Sequence, residues 1–231
     1  MIIGGYQKLT LIDYPKKLAT TVFTVGCSFR CPFCHNPELI EIKTYNTQTI
    51  AEKEFFDFLK KRKGKLEGVC ITGGEPLIQP DIIDFIKKIN KLGYSVKLDT
   101  NGTRPDVLKK IIDQKLVDYI AMDIKNSPKR YDVASGVKGD MQRIKLSVDM
   151  IMNSGVDYEF RTTVVPGIHT IRDFDAIAKW IKGAPAYYLQ EYREIKILDP
   201  KLKKKTKGKK IDLDKIKKRI EKSFEKVGIR R

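Results

Sequence analysis

Histidine occurs only twice, tryptophan once and cysteine four times in the 231 residues of this chain. No apolar run approaches the ~20 residues that a membrane-spanning helix needs. The N-terminal stretch MIIGGYQKLTLIDYP lacks the basic start, apolar centre and small-residue exit of a secretory signal. A cytoplasmic protein without a membrane segment is therefore expected. In a reducing compartment the four cysteines are poor disulfide candidates, and clustered thiols there are more often metal ligands. No repeat of short period is present. What remains, 41% apolar and 32% charged residues, fits one soluble globular domain built on a single core.

Acidic residues are scarce at one end only. Residues 196–231 hold 16 Lys or Arg against 5 Asp or Glu, whereas the first 195 residues hold 30 against 24. The formal charge of +17 thus belongs mainly to the segment KLKKKTKGKKIDLDKIKKRIEKSFEKVGIRR. Such a run is usually a solvated face. Contact with an acidic partner or with nucleic acid is the functional alternative. No aromatic residue interleaves the lysines of 201–210, which argues against a platform for stacking single-stranded bases. Nucleic acid is not the expected partner. The chain is read as a domain over 1–195 followed by a partly helical basic tail over 196–231, and removal of the tail after Asp199 is expected to leave the site intact.

Apolar, β-branched runs predict strands over 19–25, 66–72, 94–100, 117–124, 156–165 and 186–192. Segments of helical period lie between them at 49–64, 80–93, 104–115, 141–155 and 170–183, with Trp180 on the core face of the last. Proline near the start and glycine just past the end punctuate this pattern. Alternating strands and helices imply a parallel sheet joined by right-handed crossovers. The expected class is α/β, a partial (βα)6 barrel of the TIM type, because six units are too few to close an eight-unit barrel. A doubly wound sheet is the alternative.

The uncommon residues follow the strands. GCSFRCPFCHNP places Cys27, Cys31 and Cys34 in a C-x3-C-x2-C spacing directly after the first predicted strand. TGGEP (72–76) follows the second, DTNG (99–102) and MDIK (122–125) end the third and fourth, and RTTVVPG (161–167) ends the fifth. In parallel βα folds these strand ends converge on the face where ligands bind. Alone, each stretch reads as a turn or a solvated charge; together they read as the lining of one site. Three thiolates suit zinc or an iron–sulfur cluster. A structural zinc site needs a fourth close ligand. His35 is adjacent to Cys34, Cys70 falls inside a strand as a small buried hydrophobe, and His169 is expected to flank the fifth helix. A [4Fe–4S] cluster on three cysteines would instead leave one iron open to a small molecule.

The cysteine loop after the first strand, with GGEP after the second, resembles the radical S-adenosylmethionine superfamily. Taken with GGYQKLTLIDYP, LDTNG, AMDIK and RTTVVPGI, residues 1 to about 190 resemble the glycyl-radical enzyme activating enzymes, those of anaerobic ribonucleoside-triphosphate reductase most of all. The resemblance implies a [4Fe–4S] cluster on Cys27, Cys31 and Cys34, with the amino and carboxylate groups of S-adenosylmethionine on the fourth iron. It implies Phe33, Cys34 and His35 beside the adenine, and Gly73, Gly74 and Glu75 at the methionine amino group. Oxygens of Asp99, Thr100 and Asp123 would lie near the methionyl end, around a monovalent cation. Lys125 and Arg161 would meet the carboxylate or ribose. The implied protein substrate is a glycyl-radical enzyme, and the implied electron donor is a ferredoxin or flavodoxin.

Two features depart from that family. Its activating enzymes carry a histidine near the ribose on the last strand, whereas YYLQEYRE offers only Gln190 or Tyr192. No further cysteine pairs exist for an inserted eight-iron module. Three other readings compete: a radical enzyme acting on a small molecule or nucleic-acid base such as a deazapurine precursor, a zinc-stabilised nucleic-acid-binding module, and a purely structural iron–sulfur protein. A six-unit barrel with a wide side opening favours a protein loop as substrate.

Overall fold

The alternating pattern is realised as one eight-stranded sheet in a computed structural model that describes residues 1–41, 48–194 and 196–231. Strands β1 (Ile3–Thr10) and β2 (Ala19–Thr24) form an antiparallel hairpin. The chain then runs through α1 (Glu52–Lys61), β3 (Gly68–Gly73), α2 (Ile82–Lys91), β4 (Ser95–Thr100), α3 (Pro105–Asp113) and β5 (Tyr119–Asp123). It continues through α4 (Tyr131–Ser135), α5 (Met141–Met152), β6 (Asp157–Val164), α6 (Ile171–Trp180) and β7 (Ala186–Glu191). Every strand from β2 onward is parallel to its neighbour, and neighbours follow chain order. An order that only increases has no switch point, so the doubly wound alternative is excluded and the partial-barrel class holds.

Side chains alternate across each strand, and the two faces differ in kind. Val69, Ile71, Val96, Leu98, Ile120 and Phe160 are fully buried in the apolar core. The residues between them, Cys70, Lys97, Asp99, Glu159 and Arg161, lie on the opposite, concave face. VKLDT therefore serves both the core and the site from one strand. Among the described residues no helix is long and apolar enough to cross a membrane.

All six predicted strands are present to within two residues at either end. Two more lie at the edges. The first is β1, whose IGGYQKLT lacks a strong apolar alternation. The second overturns the expected tail. Helices α7 (Pro200–Thr206) and α8 (Leu213–Ile220) make 196–231 partly helical as expected, but strand β8 (Lys226–Arg230) then joins the sheet parallel to β7, from Ala186 opposite Lys226 to Gln190 opposite Arg230. On α8, Leu213, Ile216 and Ile220 form one buried face. The lysines fill the other face, so composition registered their charge and missed the apolar period beneath it. Residue 195, where the boundary was expected, lies outside the described residues, and the sheet continues beyond it.

Candidate active site

The cysteine loop leaves the end of β2 and is held on two sides. At its base, Gly26 N–H donates to Leu39 O at 2.8 Å, Glu75 N–H to Gly26 O at 2.7 Å and Gly74 N–H to Thr24 O at 2.9 Å. A Cβ on Gly74 would stand 2.0 Å from Gly26 O, and one on Gly73, whose φ is +118°, 2.3 Å from Thr24 N. The glycine pair is thus required by the close approach of the β2 and β3 ends, whatever ligand lies above. On the other side, Arg30 N–H donates to Ser135 O at 2.8 Å, and α4 ends on Gly136 in the left-handed region, where a Cβ would meet Arg30 O at 2.0 Å. Held in this way, Cys27, Cys31 and Cys34 line one cavity of about 300 Å³.

Burial pushes the thiol of Cys27 up to about 11 and that of Cys31 up to about 12, and Cys34 is raised for the same reason. Unliganded, all three are neutral at physiological pH; a bound soft cation is what would make them thiolates. Among the described residues, no group of three or more His, Cys, Asp or Glu is arranged to hold a single metal ion. A mononuclear zinc site therefore does not fit. A multi-iron cluster, which takes each thiolate on a different iron, fits both the donor chemistry and the cavity. Cys70 stands apart, fully buried on β3, with Sγ 3.8 Å from Asp99 Oδ1.

Glu75 is a strut between two strand ends. It is fully buried; its Oε1 accepts from Leu77 N–H at 3.0 Å and the Thr100 hydroxyl at 2.8 Å, and its Oε2 from Asn101 N–H at 2.6 Å. Three donors suit a carboxylate, but burial opposes them and lifts the pKa to about 7. Asn101 reaches on to Ser28 Oγ at 3.1 Å, tying DTNG to the cysteine loop.

A chain of five alternating charges crosses the concave face. Lys97 pairs with Asp99 Oδ1, and Arg161 Nη1 with Asp99 Oδ2 at 3.0 Å. Arg161 Nε pairs with Asp123 Oδ1 at 2.9 Å, and Lys125 Nζ with Asp123 Oδ2 at 3.0 Å. Burial alone would raise Asp99 and Asp123, but Arg161 outweighs it with help from Lys97 and Lys125, and both carboxyls stay below the ordinary range. Burial likewise works against Lys125, yet Asp123 holds it well above the usual ammonium value. All four carboxylate oxygens are engaged. The monovalent cation expected among Asp99, Thr100 and Asp123 finds three cations already serving two carboxylates, and the residues present do not fit it.

His169 does precede the fifth predicted helix, capped by Thr170, but it also braces the site. Its Nδ1 accepts from Val165 N–H at 3.0 Å, so Nε2 carries the proton and donates to Lys125 O at 2.8 Å. Burial lowers its pKa and keeps it neutral. Phe33 is buried with its ring centroid 6.5 Å from that of His169. On the last strand Gln190 lines the cavity, whereas Tyr192 stacks on His35 at 6.0 Å. Every site residue expected from the sequence lines this cavity. Lys97 and His169 were missed, because a lysine inside a strand and a histidine beside a helix carry no motif.

The Radical SAM superfamily model matches residues 21–181, and the chain belongs to that superfamily. The superfamily uses a [4Fe–4S] cluster and S-adenosylmethionine, and the activating enzymes among this chain's relatives have oxidoreductase-type activity. The chain is 32% identical over 237 residues to a Methanocaldococcus jannaschii protein provisionally described as a glycyl-radical enzyme activating enzyme, covering 99% of this chain and 95% of that one. It is 28% identical over 211 residues to the pyruvate formate-lyase-activating enzyme of Clostridium pasteurianum, covering 84% and 83%. Among solved structures, Streptococcus suis SuiB bound to precursor peptide SuiA superposes with a TM-score of 0.67 at 14% identity, over 90% of this chain and 47% of that one. The chain spans about half the length of SuiB, and likeness at that identity is likeness of fold.

Proposed function

We propose that the protein cleaves S-adenosylmethionine reductively and places a radical on a backbone glycine of a partner enzyme, with anaerobic ribonucleotide reductase as the partner that the sequence resemblance favours. The observation that carries this reading is the convergence of the three thiols, the GGEP strut and the five-charge chain on one cavity of about 300 Å³. When bound, the reduced cluster supplies the electron that splits the cofactor into methionine and a 5′-deoxyadenosyl radical. Cys27, Cys31 and Cys34 would hold three irons. Arg161 and Lys125, kept cationic by their carboxylate partners, would orient the cofactor's carboxylate. The carboxylate of Glu75 and the backbone at Gly73 and Gly74 would receive its amino group, and Phe33 would cover the adenine. Gln190, which lines the cavity from the last strand of the family pattern, would take the part of the absent ribose histidine.

A macromolecular substrate is supported by the side opening. A second cavity of about 590 Å³ shares His35, Arg161, Thr163 and Gln190 with the first and reaches outward between Ile12 and Asp13 of the β1–β2 hairpin and Arg230 and Arg231 at the C-terminal end of β8. Within it a glycine-bearing loop could approach the cofactor pocket from the barrel's open side.

The test is anaerobic reconstitution with iron and sulfide and reduction of the cluster with dithionite, followed by mixing with anaerobic ribonucleotide reductase and S-adenosylmethionine. A glycyl-radical doublet in the electron spin resonance spectrum is expected; methionine formation without it would rule out this partner. Cys31→Ala is expected to abolish the cluster and all cleavage, whereas Cys70→Ala keeps both. Iron bound normally by the Cys31 variant would overturn the three-cysteine assignment.

A further inference from the structure

Lys97 is the one member of the charge chain that does not line the cavity. Its side chain is 1% exposed, paired with Asp99 and 3.8 Å from Cys70 Sγ, with Nζ 6.0 Å from the centre of the Tyr119 ring. A buried ammonium is expensive unless paired, and an apolar residue would fill this strand position at less cost. Its presence makes the chain three cations to two anions. That excess of one positive charge beside Asp99 and Asp123 is the balance a bound monovalent cation would provide. We infer that Lys97 takes the place of such a cation, as a positioning residue acting through Asp99, and that cofactor binding here is independent of potassium and sodium. The inference rests on the proposed placement of the cofactor's carboxylate beside Arg161 and Lys125.

The measurement is the S-adenosylmethionine dissociation constant of the cluster-loaded protein, by equilibrium dialysis in potassium chloride and in choline chloride at equal ionic strength. The wild type is expected to give the same value in both, within about twofold. Lys97→Ala, which opens space, is expected to bind about tenfold more weakly in choline and to recover in potassium or ammonium. Broadening of the thallium-205 resonance is expected for that variant only. Lys97→Met, which fills the space, should be weak in both salts. Wild-type binding that tightens severalfold in potassium would overturn the inference, as would variants that bind like wild type or that lose only melting temperature. A wild type that binds no S-adenosylmethionine in either salt would sink the proposed function instead.

A separate observation concerns α7. At its N-cap, Asp199 N–H donates to Pro32 O at 3.0 Å, between Cys31 and Cys34. Leu202 and Thr206 turn inward, while Lys201, Lys204, Lys205, Lys207 and Lys209 are exposed, and residues 201–210 hold seven lysines and no acid. The N-terminal end of this strongly basic helix thus abuts the loop that would hold the cluster. The geometry points to this face as the docking surface for an acidic one-electron carrier protein, which is oxidised by one electron as the cluster is reduced by one. Charge of this density steers an oppositely charged protein and sets its association rate.

The triple variant Lys204→Glu, Lys205→Glu, Lys207→Glu tests it. With a reduced acidic [2Fe–2S] ferredoxin as donor at low salt, methionine formation is expected to fall about tenfold or more, and the wild-type rate should drop as salt is raised. With dithionite as donor, the variant should match wild type. An unchanged ferredoxin-driven rate would overturn the assignment. So would loss confined to glycyl-radical formation, which would give the face to the radical partner. Failure of the wild type with dithionite would count against the proposed function and leave the docking surface aside.

Discussion

Truncation after Asp199 is expected to produce a chain that melts far below the full protein or is recovered insoluble. The truncation removes α7, α8 and β8, and with them Arg230. That guanidinium pairs with both carboxylate oxygens of Glu159, at 2.7 and 2.8 Å, and its centre lies 3.7 Å from that of the Tyr188 ring. Glu159 is 1% exposed. Among the described residues its only other contact of this kind is the Tyr119 hydroxyl, which donates at 3.1 Å. Breaking a buried ion pair from one side costs about 3–5 kcal/mol, because the remaining charge has nowhere to go. Losing the buried faces of Leu213, Ile216 and Ile220 adds about 1.5–3 kcal/mol each. A domain has only about 5–15 kcal/mol of stability in all. The truncation also strips β7 of its neighbour and leaves an open edge prone to association. Arg230→Met in the full-length chain isolates the ion pair and should lose about 3–5 kcal/mol in urea unfolding. A truncated protein that stays soluble and melts within a few degrees of the full chain would show that β8 is dispensable and restore the reading of 196–231 as an appendage.

Arg161→Met is expected to lower stability by about 3 kcal/mol or more at pH 8, and to weaken S-adenosylmethionine binding at least tenfold. Among the described residues Arg161 is the only link between Asp99 and Asp123, and without it one oxygen of each carboxylate loses its donor. Lys97 and Lys125 remain, which holds the cost toward the lower end of the range for broken buried pairs. The pH dependence gives a second check. In the wild type both carboxyls sit below their ordinary pKa of about 3.9. Their contribution is fully present above that value and is lost only as pH falls below it and through the lowered folded-state values. In the variant, burial is no longer outweighed, both pKa values rise, and proton uptake relieves the buried charge. The deficit relative to wild type should therefore shrink as pH is lowered from 8 to 5. Urea unfolding at the two pH values measures it. A deficit that is constant or grows toward pH 5 would mean that Arg161 is not what holds these carboxylates ionised.

The chain's local periods determined much of what the fold became. Six strands and five helices were legible because each obeys a period of two or near 3.6 over its own length, and the cysteine trio and GGEP were legible because their spacing is itself the chemistry. Glu75, singled out from the sequence as a ligand contact, does line the cavity. That its carboxylate is a strut from GGEP to Thr100 and Asn101 is a relation between segments about 25 residues apart, and nothing in either segment announces the other. The same limit hid Lys97, which within SVKLDT reads as a solvated lysine on a half-buried strand. Only parallel pairing of β4 with β3 and β5, which sets it beside Cys70 and Tyr119, makes it an interior cation. The C-terminal segment shows the limit most plainly. Lysine content is a property of the residues and was read correctly as charge. Membership of the sheet belongs to the pairing of Ala186–Gln190 with Lys226–Arg230, and Arg230 acquires its role from Glu159, 71 residues earlier. Composition and spacing determined the class of the fold and which residues line the cavity, since both are written in contiguous sequence. Which charges share a partner, which glycines meet a backbone and which edge the last strand closes depend on distances between remote segments, and those exist only once the sheet has formed.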